Sequence, residues 1–171
     1  MPRQITLAPN VLHGVFNALV KDGQCFVQIP KVGSTTVRKI LRYREGWEPL
    51  KTKRVDAGLQ FLALVRHPVA RWISGMAQWM ASGQRGKETT ETALQRMRFD
   101  VHTSKQADWV EGVTPLLFKL EHISLMWRYL GLPNRTHENK RRGPTLVFDA
   151  GQEAEVLAYY ADDLKLWKQA Q

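Results

Sequence analysis

An apolar run that leads into a glycine-containing turn limits the possible folds of this chain more than any other feature. Residues 26–29 are typical of a short buried strand, and a helix pattern begins shortly after them. The turn contains, in order, Lys31, Val32, Gly33, Ser34, Thr35 and Thr36. Main-chain N–H groups and the positive end of the helix face an anion at such a turn, Gly33 permits close approach, and Lys31 adds a full charge. We therefore predict that residues 31–36 bind a phosphate-like anion.

The pattern of a strand followed by a helix occurs twice more. Residues 58–65 predict a buried strand that is followed directly by Arg66, and Pro68 then begins a helix that reaches residue 81. Residues 116–121 predict a third strand, followed by a helix with apolar residues at i, i+3, i+4 and i+7. Other helices are expected at residues 35–44, 89–99 and 154–168, with exposed loops at 82–87 and 131–144. This alternation favours an α/β fold with a central parallel sheet and right-handed crossovers.

The cations that follow the first two strands should meet at one edge of this sheet. Lys31 and Arg66 each follow the carboxyl end of a strand, which is where open α/β sheets bind ligands. A purely structural role is the alternative for each residue. Ser34 or Thr35 could cap the helix, Lys31 and the arginines could be solvated surface charges, and residues 131–144 could be a solvated connector.

The composition fits one folded domain over residues 1–171, because 43% of the residues are apolar. The net charge of +9 suits an anionic ligand, and it equally suits nucleic acid or an acidic surface. The sole cysteine, Cys25, excludes an intrachain disulfide and a cysteine-rich zinc site. The histidines have no metal-binding spacing, and residues 11–20 are too polar and short to span a membrane. We therefore predict a cytoplasmic protein without a bound metal.

The order of residues in the turn differs from the P-loop pattern GxxxxGK[ST], since here the lysine precedes the glycine. The turn instead resembles the 5′-phosphosulfate loop of the sulfotransferases, which reads approximately Pro-Lys-x-Gly-Ser-Thr/Ser. Residues 61–75 closely resemble the 3′-phosphate element of that family, a strand that ends Arg-x-Pro-x-x-Arg-x-x-Ser and here supplies Arg66, Pro68, Arg71 and Ser74. Residues 160–164 are similar to the Tyr-Ala-x-Asp-Leu helix of carbohydrate-type members. The resemblance covers most of the chain from residue 26 onward.

The resemblance implies a donor, an acceptor and a fold. The donor would be 3′-phosphoadenylyl sulfate, the acceptor a hydroxyl group, as on a carbohydrate, and the fold a three-layer α/β/α arrangement similar to P-loop NTPases. Lys31 would stabilise the leaving phosphate, Arg66 and Ser74 would bind the 3′-phosphate, and Arg141 with Arg142 would form a basic flap over the nucleotide. With a single cysteine, the chain resembles a short cytoplasmic bacterial or viral member.

Sulfuryl transfer also needs a base that accepts the proton of the acceptor hydroxyl. The sequence offers His102, Glu121, Asp100, Glu48 and Asp56. His102 is the first choice, because an imidazole accepts a proton near neutral pH and because it resembles a histidine that precedes a glutamine in carbohydrate-type members. Glu121 ranks second, since it follows a strand, although it could also cap the next helix or pair with Arg128.

The sequence also allows two other classes of function. A nucleotide kinase would use a similar sheet and anion loop, but it needs Mg²⁺ and an acidic residue to hold the metal. A nucleic-acid-binding module would need exposed aromatic side chains, whereas Trp72, Trp127 and Trp167 fall on stripes that are predicted to be buried. A family member that binds the nucleotide without catalysis is a further alternative.

Overall fold

The computed structural model describes residues 4–6, 18–50, 54–81, 90–134 and 148–171. The strands within these ranges are β1 (Gln4–Thr6), β2 (Ala18–Lys21), β3 (Gln24–Val27), β4 (Glu48–Pro49), β5 (Arg54–Asp56), β6 (Gln60–Val65) and β7 (Leu116–Lys119). The helices are α1 (Ser34–Tyr43), α2 (Pro68–Ala81), α3 (Thr90–Arg96), α4 (Ala107–Val110), α5 (Ile123–Tyr129), α6 (Ala150–Tyr159) and α7 (Ala161–Gln169). Leu120–His122 forms a 3₁₀ turn.

The central sheet is mixed, so the prediction of an α/β fold is confirmed and the prediction of a parallel sheet is correct only in part. Its strand order is β4-β2-β3-β6-β7, and β1 pairs with β5 in a separate two-stranded sheet. Only β3, β6 and β7 run parallel, because β2 is antiparallel to both β3 and β4. A two-residue turn of Asp22 and Gly23, with φ of 47° and 76°, joins β2 to β3. Asp-Gly is a strong hairpin signal, since both central residues of this turn need positive φ.

The parallel strands end at one edge of the sheet. Val27 at the end of β3 pairs with Ala63 of β6, and Val65 at the end of β6 pairs with Lys119 of β7. All three strands are mostly apolar and their central residues are buried, as expected for strands that are covered on both faces. The segments that follow the strands, beginning at residues 28, 66 and 120, therefore emerge close together.

Within the described ranges, the core consists of two hydrophobic clusters. The larger one joins the strands to α1 and α5, and it contains the predicted core residues Val37, Leu41 and Trp127. The smaller cluster joins α2, α3 and α6 around Trp72. The helix predicted from residue 68 to residue 81 is confirmed at both ends. The third strand is shorter than predicted, because the chain turns into the 3₁₀ segment after Lys119.

The helix predicted over residues 154–168 is in fact two helices that meet at Tyr160. The buried Tyr160 hydroxyl lies within hydrogen-bond distance of the carbonyls of Met97, at 3.0 Å, and of Thr103. The buried Asp163 carboxylate accepts a hydrogen bond from the N–H of Ala107 at 3.0 Å. Apolar periodicity continues through residue 160, so it does not reveal this break. The break lies where two side chains reach the same connector, residues 97–107.

Candidate functional site

The predicted anion loop is a strained turn that opens α1. Lys31 has φ of 68° and Gly33 has φ of 80°, and the conformation at Lys31 is uncommon for a residue with a side chain. Gly33 is the N-cap residue of α1 and makes no side-chain capping bond, so neither Ser34 nor Thr35 occupies the cap position. The Gly33 carbonyl accepts from the N–H groups of residues 36 and 37. The N–H groups of Ser34 and Thr35, which begin α1, have no acceptor within the helix.

The side chains of this loop differ in what they can offer an anion. Val32 is fully buried in the larger core cluster, so it can contribute only its main chain. Thr36 is also buried, whereas Lys31 and Ser34 are half-buried and Thr35 is exposed. The first turn of α1 carries no acidic residue. The positive end of the helix is therefore not neutralised by a carboxylate of its own first turn.

Arg66 is held at the carboxyl end of β6 by the side chain of Gln106. The Arg66 N–H donates to Oε1 of Gln106, and Nε2 of Gln106 donates to the Arg66 carbonyl, at 2.9 Å each. Gln106 is fully buried, and its two hydrogen bonds extend the β-type pairing of β6 by one residue, to Arg66. Burial lowers the pKa of the half-buried Arg66 guanidinium, while the Glu121 carboxylate acts to raise it. Arg66 stays a cation, because an arginine side chain is protonated in proteins.

Arg71 is not a surface charge. Its guanidinium is buried, and Nε donates to the carbonyl of Pro30 at 3.0 Å. Nη1 of the same group donates to the carbonyl of Ser104. Pro30 directly precedes Lys31, and Ser104 lies two residues after His102. One side chain thus joins the anion loop to the connector that carries the predicted base.

His102, the first choice for the base, pairs with Asp100, which is another of the base candidates in the sequence. His102 Nδ1 lies 2.7 Å from Oδ2 of Asp100, and the His102 main-chain N–H donates to Oδ1 at 2.8 Å. Because a carboxylate accepts hydrogen bonds, the Nδ1 position carries the proton and Nε2 is the acceptor in the neutral ring. The side chain of His102 is 33% exposed.

Burial acts to raise the pKa of Asp100, but hydrogen bonds and the charge of His102 outweigh it and lower the pKa below its ordinary value. Asp100 therefore stays ionised. It can orient the imidazole and stabilise the cation that forms when Nε2 takes a proton.

Ser74 lies on α2, beside a close contact between that helix and the connector. A Cβ atom added at Gly75 would come within 2.6 Å of the His102 carbonyl oxygen and 2.9 Å of Cγ2 of Thr103. The Ser74 side chain is half-buried, and its hydroxyl makes no hydrogen bond with another described residue. Helix α2 thus places Ser74 beside the residue that contacts the His102 segment. The same helix begins two residues after Arg66.

Glu121 lies in the 3₁₀ turn after β7, at the same sheet edge as Arg66. It is exposed, and its Oε2 lies 3.5 Å from the indole nitrogen of Trp167. Two carboxylate candidates lie away from this edge. Asp56 accepts from the N–H of Gly58 just before β6 begins, so it lies at the opposite edge, and Glu48 lies on the outer strand β4, where it pairs with Val20. The structure thus places Arg66 beside Glu121 and joins the loop to the segment of His102 through Arg71. It separates Asp56 and Glu48 from them.

Some predictions concern residues outside the described ranges. The basic flap of Arg141 and Arg142 lies outside them, as do the loop at residues 82–87 and most of the loop at 131–144. Among the described residues, no group of three or more His, Cys, Asp or Glu side chains could hold a metal ion. The described helices include none with the length and apolar character needed to cross a bilayer.

Three residues of the site are not predicted as such by the sequence. Gln106 has no predicted role, Asp100 is one of five base candidates, and Arg71 belongs to the family-like element without a role of its own. A signal exists for Asp100, because Asp-x-His in a short turn allows the carboxylate to reach the imidazole. No local signal exists for Arg71 or Gln106, since their partners lie 33 to 41 residues away in the sequence.

No family model, no curated protein and no solved structure matches this chain. The site comprises a lysine and a glycine turn at the start of α1, a cation after the adjacent strand, and a partly exposed imidazole paired with a carboxylate.

Proposed function

We propose that this protein is a sulfotransferase that moves a sulfuryl group from 3′-phosphoadenylyl sulfate to a hydroxyl acceptor. The observation that carries the proposal is that Lys31 and Arg66 follow neighbouring parallel strands at one sheet edge. Adjacent strands are about 4.8 Å apart, so both cations can reach a single nucleotide that has phosphates at its 5′ and 3′ positions.

Each part of the donor has a partner in this proposal. The main-chain N–H groups at the start of α1 and the Lys31 ammonium bind the 5′-phosphosulfate. Arg66 binds the 3′-phosphate, because a guanidinium can donate two parallel hydrogen bonds to one phosphate. Ser74 adds a hydroxyl donor, and Arg141 with Arg142 could cover the nucleotide. The half-buried setting of Arg66 supports this role, since low dielectric strengthens an ion pair.

The transfer step follows from the positions of the loop and the imidazole. The acceptor oxygen attacks the sulfur atom while the bond between sulfur and the bridging phosphate oxygen breaks. The leaving bisphosphate gains negative charge, which Lys31 and the loop N–H groups stabilise. The acceptor proton moves to Nε2 of His102, and Asp100 stabilises the imidazolium that results. Glu121 is the second candidate for the base, since it lies at the same edge near Arg66.

The proposal extends to the fold and the location. A three-layer α/β/α arrangement similar to P-loop NTPases is supported by parallel strands β3, β6 and β7 and by core helices α1 and α5. A cytoplasmic location agrees with one buried cysteine. Burial raises the pKa of the Cys25 thiol to about 12, so the thiol stays protonated and unreactive.

Binding and transfer assays test the proposal together. Isothermal titration with adenosine 3′,5′-bisphosphate should give a dissociation constant of about 1 to 100 μM, equal to roughly −8 to −5 kcal/mol. Sulfuryl transfer from labelled donor to a panel of carbohydrate and phenolic hydroxyls should proceed without Mg²⁺. Absence of heat at millimolar bisphosphate would refute the proposal. Binding without transfer to any acceptor would favour a non-catalytic nucleotide-binding protein, and a requirement for Mg²⁺ with ATP would favour a kinase.

A further inference from the structure

The guanidinium of Arg71 is buried and donates hydrogen bonds to two main-chain carbonyls. The Arg71 side chain is 1% exposed. Its planar guanidinium fork donates to the carbonyl of Pro30, just before the anion loop, and to the carbonyl of Ser104 in the connector. Removing a guanidinium from water costs several kcal/mol unless the group is well hydrogen-bonded and compensated by charge. A buried arginine therefore calls for an explanation beyond packing.

Charge neutralisation by Asp163 is only part of that explanation. Burial lowers the pKa of Arg71, and the Asp163 carboxylate is the main group that opposes this effect. Yet Asp163 uses Oδ1 to accept from Ala107, and its Oδ2 has no hydrogen-bond partner within the described part of the chain. Nη2 of Arg71 likewise has none there. Asp163 therefore balances the charge of Arg71 but, without a hydrogen bond between them, does not set the orientation of the Arg71 guanidinium.

The connector makes a second contact with the same face of α2, at Gly75. Gly75 lies four residues after Arg71, so the two positions are neighbours on one side of the helix. The His102 carbonyl lies so close to Gly75 that no Cβ atom fits between them. The connector is thus held by the Arg71 fork through Ser104 and pressed against the helix at residue 75. Both contacts act on the main chain within two residues of the imidazole.

We propose that Arg71 is a positioning residue that sets the separation between Lys31 in the anion loop and His102 in the connector. The proposal rests on the proposed function, because this separation matters for in-line transfer between a bound donor and an acceptor whose proton goes to His102. Arg71 itself touches neither donor nor acceptor. It acts through the main chain next to each functional residue.

The deciding variant is Arg71→Lys, which keeps the buried charge opposite Asp163 but cannot donate to both carbonyls as a planar fork. We expect kcat to fall by about 10- to 100-fold, because small misplacements of reacting groups have effects of this size. Affinity for adenosine 3′,5′-bisphosphate should stay within about threefold, since no group that binds the nucleotide is removed. The matched control is Asp163→Asn, which removes the charge partner and leaves the fork intact; its kcat should stay within about threefold.

The coupling can also be measured without turnover. In Arg71→Lys, amide hydrogen exchange of residues 31–36 should accelerate and the NMR signals of the His102 imidazole should shift, both together. If the wild-type protein transfers no sulfuryl group but these joint changes occur, the proposed function fails and the coupling stands. If loop exchange, the His102 signals and kcat all match the wild type, the positioning role is refuted. It is also refuted if Asp163→Asn reproduces the full effect.

A second variant keeps the test decisive if Arg71→Lys does not fold. The double variant Arg71→Gln with Asp163→Asn removes both buried charges together, which buried pairs commonly tolerate better than the loss of one partner. Circular dichroism and tryptophan fluorescence report whether it folds. The same joint change at the loop and at His102 is expected, and an unchanged loop in this folded variant would overturn the proposal.

Discussion

The side chain of Gln106 pairs with the main chain of Arg66 through both of its polar atoms, each at 2.9 Å. An amide side chain here replaces the peptide group of a neighbouring strand. The consequence is that the residue proposed to bind the 3′-phosphate leaves β6 in a fixed direction. The pairing spans 40 positions of the sequence.

Gln106→Met should weaken nucleotide recognition without removing any group that touches the nucleotide. Methionine has a similar length but leaves the Arg66 N–H and carbonyl unpaired, which costs about 1 to 3 kcal/mol. The preference for adenosine 3′,5′-bisphosphate over adenosine 5′-monophosphate should therefore fall, and it should fall further in Arg66→Ala. Isothermal titration with both nucleotides measures this preference. An unchanged preference in Arg66→Ala would show that Arg66 does not bind the 3′-phosphate.

Lys31→Ala should lower turnover more than affinity. If Lys31 stabilises charge that develops on the leaving phosphate, its loss should reduce kcat by about 10² to 10³-fold. The dissociation constant of the bisphosphate should rise by about tenfold or less, since the loop N–H groups are retained. Lys39→Ala is the matched control, because Lys39 is an exposed lysine on α1. Equal losses in turnover and affinity would contradict the assigned role of Lys31.

The pairing of Asp100 with His102 predicts which candidate is the base. His102→Gln should reduce kcat by about 10² to 10⁴-fold, and Asp100→Asn should reduce it by a smaller factor, because the imidazole stays in place but loses its orienting carboxylate. Glu121→Gln should change kcat by about threefold or less. Single-turnover assays with saturating donor measure the chemical step. A large loss in Glu121→Gln together with an active His102→Gln would assign the base to Glu121.

The carboxylates of Asp163 and Asp100 should make the free energy of unfolding depend on pH in opposite directions. Burial raises the pKa of Asp163, so the folded protein binds this proton more tightly than the unfolded chain, and stability falls as pH rises above the ordinary value of 3.8. The pKa of Asp100 is lowered, so its contribution is present above 3.8 and is lost as pH falls below it.

Urea unfolding from about pH 3 to about pH 6 measures these differences in free energy. Asp163→Asn should gain stability relative to the wild type as pH rises above 3.8. Asp100→Asn should lose stability relative to the wild type as pH rises towards 3.8, with no further change from this carboxylate above that value. Slopes of the same sign in both variants would contradict these assignments.

Gly75→Ala should displace the connector from α2. The added Cβ would meet main-chain and side-chain atoms of residues 102 and 103 at distances that real contacts do not show. Overpacking of this kind costs about 1 to 3 kcal/mol, against a gain of up to about 1 kcal/mol in helix propensity. We expect a lower free energy of unfolding and shifted His102 NMR signals. Gly58→Ala is the control, because its Cβ would meet only the Asp56 carboxylate, at 3.3 Å or more. A stabilised Gly75→Ala would contradict the close contact.

Much of the strand and helix content can be predicted from local pattern. Helix α2 begins at Pro68, as the sequence predicts, because proline suits a first helical turn and apolar residues recur at helical spacing. The hairpin of β2 and β3 is not among the predicted elements, although the Asp22-Gly23 dipeptide signals it. The break at Tyr160 is not predicted either, since hydrophobic periodicity does not show which polar atoms must be satisfied.

Local sequence pattern is enough to predict the glycine turn that leads into α1, the cation that follows β6, and the presence of a sheet with parallel strands. These features depend on neighbouring residues, through backbone preference and the period of apolar side chains. The tertiary structure decided that Arg71 spans Pro30 and Ser104, that Gln106 holds Arg66, and that Asp163 reaches Ala107. Those contacts join positions 33 to 56 residues apart, where partners are selected by the need to satisfy buried polar groups within one packed arrangement.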